Sequence, residues 1–299
     1  MNKNIQILIK TALKEDIGPG DITTESTLKK DKTIEAHITS NQDGTLCGID
    51  IAKKVFETLD KNITFQKQAN DTEKIKANQT IAKLKGSAKK ILAGERTALN
   101  FLGHLTGIAT QTSKYVEQCK NAELLDTRKT TPCLRTLEKY AVKCGGGKNH
   151  RMGLYDMILI KDNHIKAAGS IENALMLASK QNITSSGEGG GSRTDTTKHK
   201  WGNILYLNKE IELECKTLDE IKEALKAKTP PDIIMLDNMT IPQIKKAIAI
   251  INKKTKTEIS GGITLNNIKQ IDALKPDYIS TSKITVSAPH HDYSMNIEI

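Results

Sequence analysis

LLDTRKTTPCLRTLEKYAVKCGGGKNHRMGLYDMILIKDNH, residues 124–164, sets Arg128, Lys129, His150, Arg151 and Lys161 at the ends of two apolar runs and beside a glycine triplet. LLD and MILI read as buried strands, and the stretch from about Leu134 to Cys144 reads as a helix between them. Basic groups concentrated at strand ends suggest a site for a small, highly charged anion rather than a solvated face. The rhythm continues downstream. MILIK is followed by a helix from about Ile171 to Gln181, IELEC by LDEIKEALKA, DIIML by IPQIKKAIAIINKK, TEIS by TLNNIKQIDAL, and DYIS closes the series. Alternating, near-continuously apolar strands and helices argue for a parallel sheet covered by helices.

Two closures of such a sheet are open, and the residues after each strand choose between them. DTRK follows LL, KDN follows MILI, Glu214 lies within IELE, Asp237 and Asn238 follow IIML, Ser260-Gly261-Gly262 follows TEI, and Thr281-Ser282 follows YIS. In a barrel all these ends meet at one mouth, whereas a doubly wound sheet spreads them along a line. The barrel is the expected fold.

Upstream, Ile5, Leu8, Ile9, Ala12 and Leu13 predict a helix over residues 4–16 that Gly18, Pro19 and Gly20 stop. GDITTEST, residues 20–27, reads as turn and cap chemistry. TIEAHITS, ITFQKQA and QTIAKLKG read as strands and GIDIAKKVFETLD as a helix, a small α+β domain. ILAGERTALNFLGHLTGIATQTSKYVEQC predicts two helices broken near Gly103 to Gly107, with Arg96 as a surface arginine beside Glu95. Residues 182–203 are rich in Gly, Ser and Thr without periodicity and read as a flexible insertion. The expected domains are residues 1–112, joined by the tail 284–299, and a barrel over 113–283.

Lys and Arg total 45 against 35 Asp and Glu, for a net charge of +10. The lysines form no basic tail, and aromatics at 3% leave no stacking platform, so nucleic acid is discounted as a partner. Five cysteines, odd in number and without a CxxC pair, indicate neither a disulfide framework nor a zinc site and fit a reducing cytoplasm. No stretch approaches the roughly 18 apolar residues of a membrane span.

Arg128 and Arg151 suit bidentate clamping of carboxylates, while Lys129 and Lys161 suit phosphates. Gly145-Gly146-Gly147 could present amides to an anion or cap the preceding helix. Ser260-Gly261-Gly262 before a helix expected near Thr264 is the better phosphate cradle. Glu214 and Asp237, on otherwise apolar strands, could hold Mg²⁺ or sugar hydroxyls, stabilise an oxocarbenium-like carbon, or pair with nearby cations.

ERTALNFL (95–102), GIAT (107–110), DTRKTTPCLRTLEKYAV (126–142), GGGKNHRMGLYDMILIKDNH (145–164), IELE (211–214), MLDN (235–238), SGG (260–262) and DYIS (277–280) together resemble the quinolinate phosphoribosyltransferase family. The resemblance implies an incomplete α/β barrel plus a smaller open-faced α/β sandwich domain, in a homodimer with sites between subunits. It implies conversion of quinolinate and phosphoribosyl pyrophosphate, with Mg²⁺, to nicotinate mononucleotide, pyrophosphate and CO₂ in NAD biosynthesis. The family pattern puts Arg128, His150, Arg151 and Lys161 around quinolinate, Lys129 near the junction of the substrates, and Thr127 beside them. It puts Glu214 and Asp237 at the ribose and metal, Ser260, Gly261 and Gly262 at the phosphate, and Arg96 in the neighbouring subunit's site. The nearest rival is a molybdenum-locus homologue of this family, or another phosphoribosyltransferase with a different acceptor.

The chain departs from the pattern at three places. Cys133 stands where the family usually has glycine, Lys148 replaces an aromatic or apolar residue, and SKITV (282–286) replaces a stretch usually read as GxLTH, which bears on Thr281 and Ser282 as phosphate contacts.

Overall fold

The structure, a computed structural model, describes residues 3–183 and 209–298. The expected insertion lies, beyond Ile183, outside the described residues. In chain order the first elements are α1 (Lys3–Ile17), α2 (Ile22–Thr27), β1 (Thr33–Ser40), β2 (Gly44–Thr45), α3 (Ile49–Leu59), β3 (Thr64–Lys67), β4 (Lys74–Ile75), β5 (Thr80–Ser87) and α4 (Ala88–Val116). There follow β6 (Glu123–Leu125), α5 (Arg135–Cys144), β7 (Ile158–Ile160), α6 (Asp162–Ala168), α7 (Ile171–Ile183), β8 (Ile211–Cys215), α8 (Leu218–Lys226), β9 (Ile233–Asp237), α9 (Ile241–Ile251), β10 (Lys256–Ser260), α10 (Ile268–Asp272), β11 (Tyr278–Ser280) and β12 (Tyr293–Glu298).

The chain divides into two compact units. One comprises Met1–Lys114, Thr131–Gly147 and Ile284–Ile299, the other Tyr115–Thr130 and Lys148–Lys283. The first unit holds an antiparallel sheet in the order β12-β1-β5-β3. Along β1 the period of two turns Ile34, Ala36 and Ile38 inward and leaves Thr33 and Glu35 outside. The amphipathic α3 buries Ile49, Ile51, Ala52, Val55 and Phe56, and the Phe56 ring meets Phe65 of β3 at 6.0 Å. GDITTEST, read as turn and cap chemistry, does supply a cap: the Asp21 carboxylate accepts the Thr24 amide at 3.0 Å and opens the short helix α2.

One expectation fails in this unit. α4 is one helix of 29 residues, not two broken near Gly103 to Gly107. Those glycines serve close approach instead: a Cβ on Gly103 would lie 1.9 Å from His290 Cε1, and one on Gly107 would lie 2.1 Å from the Pro289 carbonyl oxygen. Residues 131–147, assigned to the barrel by the strand-helix rhythm, cluster with the first unit. Their partners explain it: Glu138 meets His104 Nε2 at 2.9 Å, and the Tyr140 hydroxyl donates to Asp71 at 2.8 Å.

In the second unit six strands are hydrogen-bonded in the order β6-β11-β10-β9-β8-β7, and all pairs are parallel. Strands β7 to β11 neighbour one another in sequence, and the first strand pairs with the last. That is a barrel's cyclic order opened at the β6–β7 seam; a doubly wound sheet would reverse its order partway across. Residues after the glycine triplet run along the free edge of β6, with the Lys148 amide donating to Leu124 O at 2.8 Å and the Asp126 amide donating to Lys148 O at 3.1 Å. Leu213, Cys215, Ile234, Leu236, Ile259 and Ile279 are buried on one face of the strands. The alternate positions carry the polar chemistry.

Candidate active site

The period of two decides which side chains share a face with the site. Leu159 precedes Lys161 by two positions, Met235 precedes Asp237, and Glu258 precedes Ser260; together with Glu214 and Ser280 all of these line one cavity of about 360 Å³. Register brings them together, since Glu214 pairs with Met235, Ser260 with Asp237 and Ser260 with Ser280. Thr127, Arg128, Lys129, His150 and Arg151 complete the lining. Nine residues singled out in the sequence therefore surround one space, and Arg96, Gly261, Gly262, Thr281 and Ser282 stand outside its lining.

Lys161, His150 and Arg151 are held by local structure. Lys161 is the N-cap of α6, its amide donating to His164 Nδ1 at 2.9 Å, which fixes the residue as β7 ends. Its ammonium pairs with the Glu214 carboxylate. The buried Asp126 carboxylate accepts the His150 amide at 2.9 Å and Asn149 Nδ2 at 2.6 Å, anchoring the NHR run to the end of β6. Burial, and then the like charge of Arg128, push the Arg151 guanidinium down, so two guanidiniums share a space that favours an anion. Arg151 Nη1 also reaches the Met157 carbonyl at 3.4 Å.

Beneath His150 lies a buried acidic pair that the sequence reading passed over. His150 Nδ1 accepts the Arg151 amide at 2.7 Å, while Nε2 faces Glu212 at 2.9 Å and Glu258 at 3.5 Å. Both glutamates are 0% exposed. Burial alone would lower the His150 pKa, but the two carboxylates outweigh it and raise it; burial, and then Glu258, push Glu212 up to about 7. The signal was present in IELEC and KTEIS, where Glu212 and Glu258 fall two positions before Glu214 and Ser260 on the same face.

Other predicted residues stand elsewhere. Arg96 is exposed on α4 in the first unit and is absent from the cavity lining. Gly261 and Gly262 have φ of 84° and 66°, in the left-handed region that favours glycine, and Gly261 lies against Asn238. The helix expected near Thr264 begins only at Ile268, because Asn267 Oδ1 accepts the Thr264 amide at 2.8 Å and holds the intervening residues in a turn. Thr281 is buried, its Oγ1 donating to the Ile263 carbonyl at 3.4 Å and accepting the Lys283 amide at 3.2 Å, and neither it nor Ser282 lines the cavity. Of the two readings of Gly145-Gly146-Gly147, the helix cap prevails: the three amides donate to Ala141, Lys143 and Val142 carbonyls at 3.0 Å.

A parallel barrel opened at one seam, with a basic mouth facing two acids at its strand ends, defines an enzyme that handles a small polyanion. Family models described as quinolinate phosphoribosyl transferase match residues 21–106 for the N-terminal domain and 108–186 with 191–296 for the C-terminal domain. A probable nicotinate-nucleotide pyrophosphorylase (carboxylating) of Bacillus subtilis is 38% identical over 95% of this chain and 90% of its own length. A decarboxylating quinolinate phosphoribosyltransferase of Nicotiana tabacum is 35% identical over 99% of this chain and 82% of its own. The solved nicotinate-nucleotide pyrophosphorylase of Francisella tularensis superposes with a TM-score of 0.87 at 38% identity, over 100% of this chain and 97% of that one. The chain belongs to the quinolinate phosphoribosyl transferase family.

Proposed function

We propose that this chain transfers the phosphoribosyl group of phosphoribosyl pyrophosphate to the ring nitrogen of quinolinate and releases CO₂, giving nicotinate mononucleotide for NAD biosynthesis. The observation that carries the reading is the division of the cavity lining: Arg128, Lys129, His150 and Arg151 are joined there by Lys161, and Glu214 and Asp237 end the adjacent strands β8 and β9. Planar guanidiniums bind the two carboxylates of the pyridine and orient its nitrogen toward the ribose. Lys161, already paired with Glu214, stands where carboxylate-reading and sugar-reading groups meet. Glu214 and Asp237 lie where they can stabilise cationic character at the anomeric carbon as pyrophosphate leaves. The negative charge left on the ring when CO₂ departs is stabilised by the N-ribosylated nitrogen until a proton from solvent takes the vacated position on the ring carbon.

Glu214 and Asp237 also suit Mg²⁺. They offer hard carboxylate oxygens, and Glu214 is 8% exposed with an ammonium as its partner, an arrangement an incoming hard cation can replace. When bound, Mg²⁺ neutralises the pyrophosphate. We place the enzyme in the cytoplasm and in a homodimer in which Arg96 of one subunit completes the site of the other. In support, no described helix is long and apolar enough to cross a membrane, and Arg96 is exposed on α4.

Purified chain given quinolinate, phosphoribosyl pyrophosphate and Mg²⁺ forms nicotinate mononucleotide and CO₂ in equal amounts. Folded protein that forms neither product overturns the assignment. Product that retains both carboxylates or carries another acceptor points to the rival substrate within the family.

A further inference from the structure

Three side chains that the proposed reaction does not use converge in the first unit. Cys47 follows β2, Asp71 lies in the loop between β3 and β4, and Cys144 ends α5; one ligand atom from each lies within 4.8 Å of the other two. Cys47 is fully buried, Cys144 is 7% exposed and Asp71 is half-buried. Without a CxxC spacing the sequence indicated no zinc site. The fold nevertheless brings these distant positions together.

The surrounding backbone fixes these ligands in place. The Leu46 amide donates to Glu73 O at 2.9 Å, the Thr72 amide donates to Leu46 O at 2.9 Å, and Asp71 Oδ1 accepts the Ile49 amide at 3.0 Å, so the Cys47 and Asp71 loops are tied to each other. Thr106 Oγ1 accepts the Cys47 amide at 3.1 Å and donates to the Cys47 carbonyl at 3.0 Å. Tyr140 precedes Cys144 by one helical turn, and its hydroxyl donates to Asp71 Oδ2 at 2.8 Å. Loops tied down by hydrogen bonds, together with the end of α5, give the donors the fixed positions that a tight site requires.

The thiols already interact. Burial, and then the neighbouring Cys144, push the Cys47 thiol up, while Cys144 is held down by accepting the Cys47 hydrogen bond. Tyr140 is 45% exposed, so the cluster lies one side chain below the surface and an entering ion has a short path.

We propose that Cys47, Cys144 and Asp71 form a binding site for a thiophilic divalent cation of the zinc class, with the Tyr140 oxygen or a water in the fourth position. Two thiolates and a carboxylate suit a tetrahedral borderline-soft ion and suit Mg²⁺ poorly. The site is thus chemically distinct from the oxygen donors Glu214 and Asp237, and it does not depend on the substrate assignment. Binding replaces two sulfur–hydrogen bonds with two metal–sulfur bonds and releases two protons. No electrons are transferred, and no oxidant is needed.

The test uses the full-length chain, chelator-stripped and kept reduced, with Cys133→Ser removing the exposed thiol. Cd²⁺ titration produces the ultraviolet thiolate-to-cadmium band, saturating at one ion per chain with release of about two protons. Zn²⁺ competes for the site and raises the thermal midpoint, and Mg²⁺ does neither. Cys144→Ser weakens Cd²⁺ binding by more than about 100-fold, and Asp71→Asn weakens it by about 10-fold or more. If Cys144→Ser does not fold, the Asp71→Asn shift and the Zn²⁺ competition decide. No band in the starting protein, or a band unchanged by Asp71→Asn and Cys144→Ser, overturns the proposal.

Discussion

Cys133 has a φ of 67°, a left-handed backbone conformation that costs a side chain with a Cβ about 1 kcal/mol or more. The conformation is therefore a local strain, and the side chain is exposed. Cys133→Gly raises the free energy of unfolding by about 0.5–1 kcal/mol, less than the full strain because glycine also loosens the unfolded chain. Urea unfolding of the two proteins measures it, and an unchanged or lower midpoint would count against the strain argument. His291 gives a second residue-level prediction. Its ring is 1% exposed, Nε2 meets Ser40 Oγ at 2.7 Å, and burial pushes its pKa down to about 4. Because the folded value lies below the unfolded value of about 6.5, the stabilising effect is present above pH 6.5 and is lost as pH falls toward 4. The loss reaches about 3 kcal/mol. His291→Gln, which cannot take up that proton, shows a shallower fall in stability between pH 6.5 and 4.5 than the parent; equal slopes would assign the acid sensitivity to other groups.

The elements show where local reading works and where it stops. Capped and periodic segments were legible: α1 lies within one residue of its predicted ends on each side, and α8 starts on a Thr217–Glu220 capping box. α4 was misread because glycine as a helix breaker and glycine as a point of close approach look alike in a sequence. What separates them is the C-terminal segment lying against α4, nearly two hundred residues away in the chain. The distinction fixes the sign of a substitution. On helix propensity alone Gly107→Ala should stabilise by about 1 kcal/mol. With the Pro289 carbonyl oxygen 2.1 Å from the added Cβ, steric conflict wins, and the variant is destabilised by about 2 kcal/mol or more. A thermal midpoint above that of the parent would show that the helix and the tail are not in contact as described.

For the whole molecule, the strand-helix rhythm and the polar strand ends conveyed the barrel, and DTRK, NHR, LIKDN, Glu214 and Asp237 conveyed most of the cavity lining. Hidden from a linear reading were partners joined only by register and by long loops: Glu212 and Glu258 beneath His150, and Cys47 beside Cys144. Alternation announces which face a residue takes but not what meets it there. Assembly is a further step, because the described cavity is lined entirely by residues of the second unit while Arg96 is exposed on the first. If Arg96 completes a neighbour's site, Arg96→Ala and Lys161→Ala each inactivate the homodimer through different sites. Mixing the two inactive proteins and allowing exchange then produces heterodimers with one site carrying both lesions and one site carrying neither. Random exchange of equal amounts makes half the dimers mixed, so recovered activity approaches about a quarter of the parent's. Exchange is followed independently by mass-tagged subunits. Heterodimers that form and remain inactive would place Arg96 outside the partner's site and return it to the surface role beside Glu95 that the periodicity of the sequence suggests.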